Sequence, residues 1–377
     1  MKRISYIFTA VVLTAIVLAP ACSKDSPSPK DEMPEWATDI TKEVPIILST
    51  GSPSIVKTKA AITSLEGVEF GVLAYDATNM DELFRDEVAK SVSLQAQFIS
   101  KEDGTSPITK YYPLYNPDSY NYSFYAWHTS DTKVKVDSTI FNLDKGTHTK
   151  TFDVGQVDVL WAKADATSFE VGSGEEAKTY TGFNAEYQRA ARKNLSSWEN
   201  YLPKLTFKHL TAALHFQVVA EDADAAATFV DKYSNPLVTL TALNISSGSD
   251  NDITSQATLD VLTGDIQATA TADSLAVTAY PLLPTEKASE FGTGLFIMPT
   301  NDNLRVQFTL AVPTGAFTPT DGTGVGYALS APDGGFVAGK SYTYKIIIRS
   351  LENIQIKLEL EEWNEAPIND NVIATIG

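Results

Sequence analysis

The side chains best suited to metal binding or proton transfer are four histidines, His128, His148, His209 and His215. On a strand His209 and His215 share a face, but six residues place them roughly 20 Å apart at about 3.3 Å per residue. One metal ion cannot bridge that distance. Runs of the H-E-x-x-H, G-x-S-x-G or Walker type are absent. Asp250-Asn251-Asp252 opens like a calcium loop but lacks the glycine and closing glutamate of a complete one, and reads as a solvated turn. Carboxylates are plentiful, yet glycoside hydrolysis needs two at a defined separation, and nothing singles out a pair. Tyr125 and Trp127 sit in an aromatic-rich run, Tyr111 to Trp127, which reads either as a platform for stacking sugars or as sheet core. The expectation is a non-enzyme with no metal and no cofactor.

One reactive group has a clear assignment. Cys22, the only cysteine, ends a run in which Met1-Lys2-Arg3 is followed by an apolar stretch, Ile4 to Leu18, and then by Ala19-Pro20-Ala21. That order is a secretory signal peptide. The stretch is too short for the roughly 20 residues that cross a bilayer. Small residues before a lone cysteine resemble a lipoprotein cleavage site, where the thiol is acylated and becomes residue one. The bland alternative is an ordinary signal with an incidental cysteine. The expected organisation is a signal peptide over 1–21 and a lipidated flexible tether over 22–43, rich in Ser, Lys, Asp, Pro and Glu up to about Thr41. Ser23-Lys24-Asp25 also resembles short signals that send lipoproteins to the outer surface. A single cysteine excludes an intrachain disulfide, so stability must come from packing.

The charge balance narrows the partners. Acidic residues number 47 against 29 basic, a formal net charge of −18, and losing Lys2 and Arg3 with the signal takes it to −20. Nucleic acid needs clustered cations, and so does docking on anionic lipid. Membrane contact would come instead from acyl chains on Cys22, at about 0.8 kcal/mol per buried methylene. Hydrophobic content of 43% and aromatic content of 10% suffice for a sizeable core.

The elements along the chain are mostly strands. Val44 to Ser49 reads as a first strand, followed by a polar connection through Lys59. Phe70, Val72 and Ala74 alternate on one face of a second strand, and residues 81–91, with Leu83, Phe84 and Val88, read as a short helix. Tyr122 to His128 and Val157 to Ala162 continue the period of two. Tyr187, Ala191, Leu195 and Trp198 form a helical stripe, with Arg189, Arg192 and Lys193 off it. Strands return after Pro203. The cleanest signal is the last: Tyr342, Tyr344, Ile346 and Ile348, then Ile354, Ile356, Leu358 and Leu360, alternate about a hairpin-length turn. The expected fold is all-β with few short helices, as two sandwich domains in tandem, 44–200 and 201–377.

Several of these runs, in order, resemble the fimbrillins and fimbrillin-like (Mfa-like) lipoproteins of type V pili. They are Ile62-Thr63-Ser64-Leu65, Phe70-Gly71-Val72 with Ala74-Tyr75, Tyr122-Ser123-Phe124-Tyr125-Ala126-Trp127, and Val157-Asp158-Val159-Leu160-Trp161-Ala162. Leu205 to Ala212, Ala338 to Tyr344 and the closing Trp363 complete the set. The resemblance implies transthyretin-like sandwiches meeting near Ser197 to Pro203. It implies export as an outer-membrane lipoprotein, exposed at the surface, and assembly with other subunits into adhesive fibres by strand exchange. A trypsin-like protease cuts polymerising members after a basic residue, usually Arg, freeing the leading strand. Here the matching position is Lys59, before Ala60, with Lys57 as runner-up. An Arg-specific protease would not cut at a lysine, so an uncut, lipid-anchored subunit is the other outcome. Pro367 to Gly377, where Val372, Ala374 and Ile376 alternate, is a candidate donated strand. Receptors on host or bacterial surfaces are possible partners; the competing reading is a surface lipoprotein that binds glycan.

Overall fold

The computed structural model of the chain describes residues 33–51, 66–100, 102–115, 120–129, 141–142, 147–164, 167–248, 252–313, 315–317, 326–350 and 353–361. Among these residues strands dominate, with three short α-helices: α1 (Glu35–Thr38), α2 (Ala185–Asn194) and α3 (Ala223–Thr228).

The first sheet has eight strands in the order Lys204–Thr206, Leu48–Gly51, Gln95–Ile99, Asp81–Val92, Glu69–Asp76, Ser123–His128, Leu160–Ala164 and Lys208–His209. Its two ends are separated in sequence by Phe207 alone, so the sheet curls until its edges meet. Inside the curl lie Phe70, Val72, Phe124, Leu160, Leu205 and Phe207, closed by Tyr187 and Ala191 of α2. Every residue from Phe70 to Asp76 is buried, because both faces of this strand are covered. Leu73, Tyr75, Tyr125 and Trp127 point the other way, into a second core.

That second core joins distant parts of the chain. A four-stranded sheet runs Ile266–Ala272, Ile253–Asp260, Thr147–Asp153, Phe141–Asn142. A five-stranded sheet holds Ala212–Ala220 parallel to Ser341–Ser350, with Asn353–Glu361 antiparallel at its side. Another is built on Thr239–Ser247 paired with Leu304–Val312. Contacts cross position 200, read from the sequence as the domain boundary. Strands 204–206 and 208–209 belong to the first sheet, and 147–153 pairs with 253–260.

Three local expectations change. Residues 81–92 form a strand, not a helix, because Glu69–Asp76 and Gln95–Ile99 pair with it on both sides. The turn before it is set by Asp76, whose carboxylate accepts the backbone N–H groups of Thr78, Asn79 and Asn121 and the Asn79 amide. Burial alone would raise the Asp76 pKa, but these hydrogen bonds together bring it below the usual carboxylate range. The solvated stretch read through Thr41 ends earlier, since α1 packs on α2 and Ala37 is buried. The single strand read over Val44 to Ser49 is broken into Val44–Pro45 and Leu48–Gly51. Pro45 has no N–H to continue a ladder. The helix read over Asn184 to Trp198 is present as α2, capped by the Asn184 side chain accepting the Tyr187 N–H, but it ends at Asn194: Leu195 is extended and Trp198 opens a separate 3-10 turn.

His215 shows how little room the second core leaves. It is buried on the Ala212–Ala220 strand, its Nε2 has no hydrogen-bond partner among the described residues, and burial pushes its pKa down from 6.5, with Glu290 opposing. A depressed histidine pKa adds stability that is complete above the unfolded value and is lost as the pH falls below it. Urea unfolding at about pH 7.5 and about pH 5.5 should therefore show a larger acid loss for the native chain than for His215→Gln, by at most about 1.4 kcal/mol per pH unit. Equal losses would show that His215 does not contribute.

Candidate functional site: the seat of the leading strand

The most consequential geometry surrounds residues 44–51. Val44, Ile46, Leu48 and Thr50 are 0–5% exposed, whereas Pro45, Ile47 and Ser49 between them are half-buried. This is the alternation of a strand inserted with one face inward. Val44 and Pro45 pair with Tyr112 and Tyr111, and the Ile46 N–H donates to the Lys110 carbonyl at 2.8 Å. Leu48–Gly51 then runs antiparallel to Gln95–Ile99 and parallel to Lys204–Thr206. The Ser49 N–H donates to Pro203 O (2.9 Å) and the Thr50 N–H to Leu94 O (2.8 Å). The Thr50 and Ser91 hydroxyls meet at 3.0 Å.

The strand therefore sits between two others and seals the first core beside Phe98, Tyr112 and Leu205. Tyr112 is 2% exposed and its hydroxyl has no hydrogen-bond partner among the described residues; burial, with Tyr187 nearby, pushes its pKa far up. It stays neutral and acts as packing. Beside Pro45–Ile47 the neighbouring strand is only partly paired, and a groove of about 770 Å³ opens there, bordered by Gln97, Phe98, Pro107 and Ile108.

A second contact holds the same segment upstream. Arg189, on α2 and 9% exposed, donates from Nε to the Trp36 carbonyl (2.9 Å) and from Nη2 to those of Ile40 (3.1 Å) and Lys42 (2.6 Å). The helical stripe in the sequence marks α2 but sets Arg189 off its apolar line. The only signal for its burial is an arginine two residues from buried Tyr187 and Ala191.

The other sequence candidates separate clearly. Tyr125 (5% exposed) and Trp127 (1%) face the second core, so as a sugar platform they present no open ring. Trp127 packs over Gly71, where even a methyl group would run into its indole. The four histidines are dispersed. His128 Nδ1 meets the Glu69 carbonyl (2.9 Å), the His148 ring lies 5.5 Å from that of Tyr75, and His209 Nδ1 contacts both oxygens of buried Asp158 at 2.9 and 3.0 Å. The Asp158–His209 contact joins residues 51 apart and escapes sequence reasoning. Among the described residues no three His, Cys, Asp or Glu side chains are grouped to hold a metal ion. No helix there is long and apolar enough to cross a membrane. Cys22, Lys57, Lys59, Ala60, most of the Asp250–Asp252 turn, Trp363 and Pro367 to Gly377 lie outside the described residues.

The described residues form an all-β body whose first core is completed by its own leading strand. Residues 58–363 match the model of the fimbrillin-like family, and the chain belongs to that family, which is structural rather than enzymatic. Comparison with curated proteins gives no match. Among solved structures, a candidate cell-adhesion protein of Bacteroides uniformis is 16% identical, with a TM-score of 0.47, over 86% of this chain and 99% of that one. A fimbrial protein of Bacteroides vulgatus is 14% identical, with a TM-score of 0.43, over 85% and 99%.

Proposed function

We propose that this chain is a fimbrial subunit or fimbrillin-like surface adhesin, exported as a lipoprotein through Cys22 and assembled by strand donation. The observation that carries the reading is the seating of residues 44–51, whose inward side chains complete a core formed by strands far away in sequence. A break at Lys59–Ala60 would leave that strand joined to the body by non-covalent contacts alone. Its departure would uncover the edges of Gln95–Ile99 and Lys204–Thr206, each with unpaired backbone N–H and C=O groups, above an apolar floor. An extended strand from another subunit satisfies such edges while its alternate side chains fill the floor. A head-to-tail contact of this kind does not close on itself and propagates as a filament. Cys22 would then be a handle for transport in cut subunits and a permanent foot in uncut ones.

The test is N-terminal sequencing of the protein recovered from the cell surface. A start at Ala60, together with fibres by electron microscopy, is the expected result. An acylated Cys22 at the start of every recovered chain would sink assembly by cutting. Lys59→Ala with Lys57→Ala should abolish the Ala60 terminus and the fibres together.

A further inference from the structure

Cutting the chain and emptying the groove are separable events if something other than the peptide bond holds the leading segment. We infer that Arg189 is a latch that keeps residues 36–51 on the body after the cut. The inference rests on reading 44–51 as the piece that cutting frees.

Arg189 belongs to the body, far downstream of Ala60, and its three acceptors are backbone carbonyls of the leading segment. The Trp36 carbonyl lies within the single turn of α1, and those of Ile40 and Lys42 lie in the chain just after it. Carbonyls at the end of so short a helix need donors from elsewhere. The segment is shaped to present them. The Thr41 N–H and hydroxyl both donate to one Asp39 oxygen, at 2.9 and 2.7 Å, turning the chain so that the carbonyls of residues 36, 40 and 42 converge. Lys42 reaches back to Glu35 at 3.2 Å. Trp36 meets Trp198 edge-on, with centroids 6.4 Å apart, and Arg192 lies over the same Trp198 ring at 5.2 Å. Charge-assisted hydrogen bonds are stronger than neutral ones, and the planar guanidinium spreads its donors over separate nitrogens in a fixed fork, whereas an ammonium donates from one point. The grip at 36–42 is distinct from the strand pairing at 48–51. Two linked attachments rebind each other far faster than either would alone, so the segment leaves only when both are open together.

The full chain, purified in detergent, is given a site-specific protease sequence between Lys59 and Ala60 and cut. Loss of the N-terminal fragment is then followed by native size exclusion with mass spectrometry. The native chain is expected to retain the fragment, whereas Arg189→Met and Arg189→Lys lose it at least tenfold faster. Retention by both variants equal to the native chain would overturn the latch, and so would immediate loss from the native chain. Uncut Arg189→Met is checked by thermal unfolding, and if it does not fold, Arg189→Lys decides by the same criterion. The engineered cut judges the latch even if surface protein never begins at Ala60, a result that would count against natural cutting only.

Discussion

Trp127→Ala is expected to destabilise the chain by about 3–5 kcal/mol, as large aromatic truncations in cores do. The upper end applies here. The indole is 1% exposed, and the strand beside it offers Gly71, which has no side chain to move into the space. The lost ring also removes a partner of Lys150, whose Nζ lies 5.8 Å from the ring centroid, and part of the core that includes Tyr75, Phe152 and Val154. Denaturant unfolding reads the loss directly. The same variant separates two roles for this aromatic run. A sugar platform would lose glycan binding at unchanged stability, and that outcome on a glycan array would contradict the core assignment.

A chain that begins at Ala60 is expected to be unable to persist as a stable monomer. Val44, Ile46 and Leu48 are each at most 5% exposed. At about 1.5–3 kcal/mol for each fully buried side chain, they contribute roughly 5–9 kcal/mol before ordering costs. That is comparable with the roughly 5–15 kcal/mol that holds a typical domain folded. The shortened chain should melt far below the intact one or associate through the uncovered edges. A peptide of residues 42–51 added in excess should restore both the melting temperature and the monomer. The same peptide carrying Leu48→Asp should not, because it would place a charge in an apolar core. A monomeric, fully stable chain from Ala60 would remove the physical basis for strand exchange in this protein.

How much of this was legible beforehand depends on how local each signal is. The hairpin Ser341–Ser350 with Asn353–Glu361 is readable because alternation and turn length lie within about twenty consecutive residues. The same holds for the aromatic strand Ser123–His128 and for α2, whose stripe and Asn184 cap are adjacent in sequence. Residues 81–91 read as a helix because Leu83, Phe84 and Val88 suit a helix as well as a strand. Pairing on both sides, by 69–76 and 95–99, decided it.

The seat of the leading strand was out of reach of any local pattern. Its alternation is visible, but its parallel neighbour lies at 204–206 and the acceptors of Arg189 are 147–153 residues away from it. The all-β class and the basic residues Lys57 and Lys59 behind the first strand are readable in the sequence, since these are properties of consecutive residues. That this strand completes a core distant from it in sequence emerges from long-range pairing. Backbone hydrogen bonds carry no residue identity, and which edges meet is settled by the curl of the whole sheet.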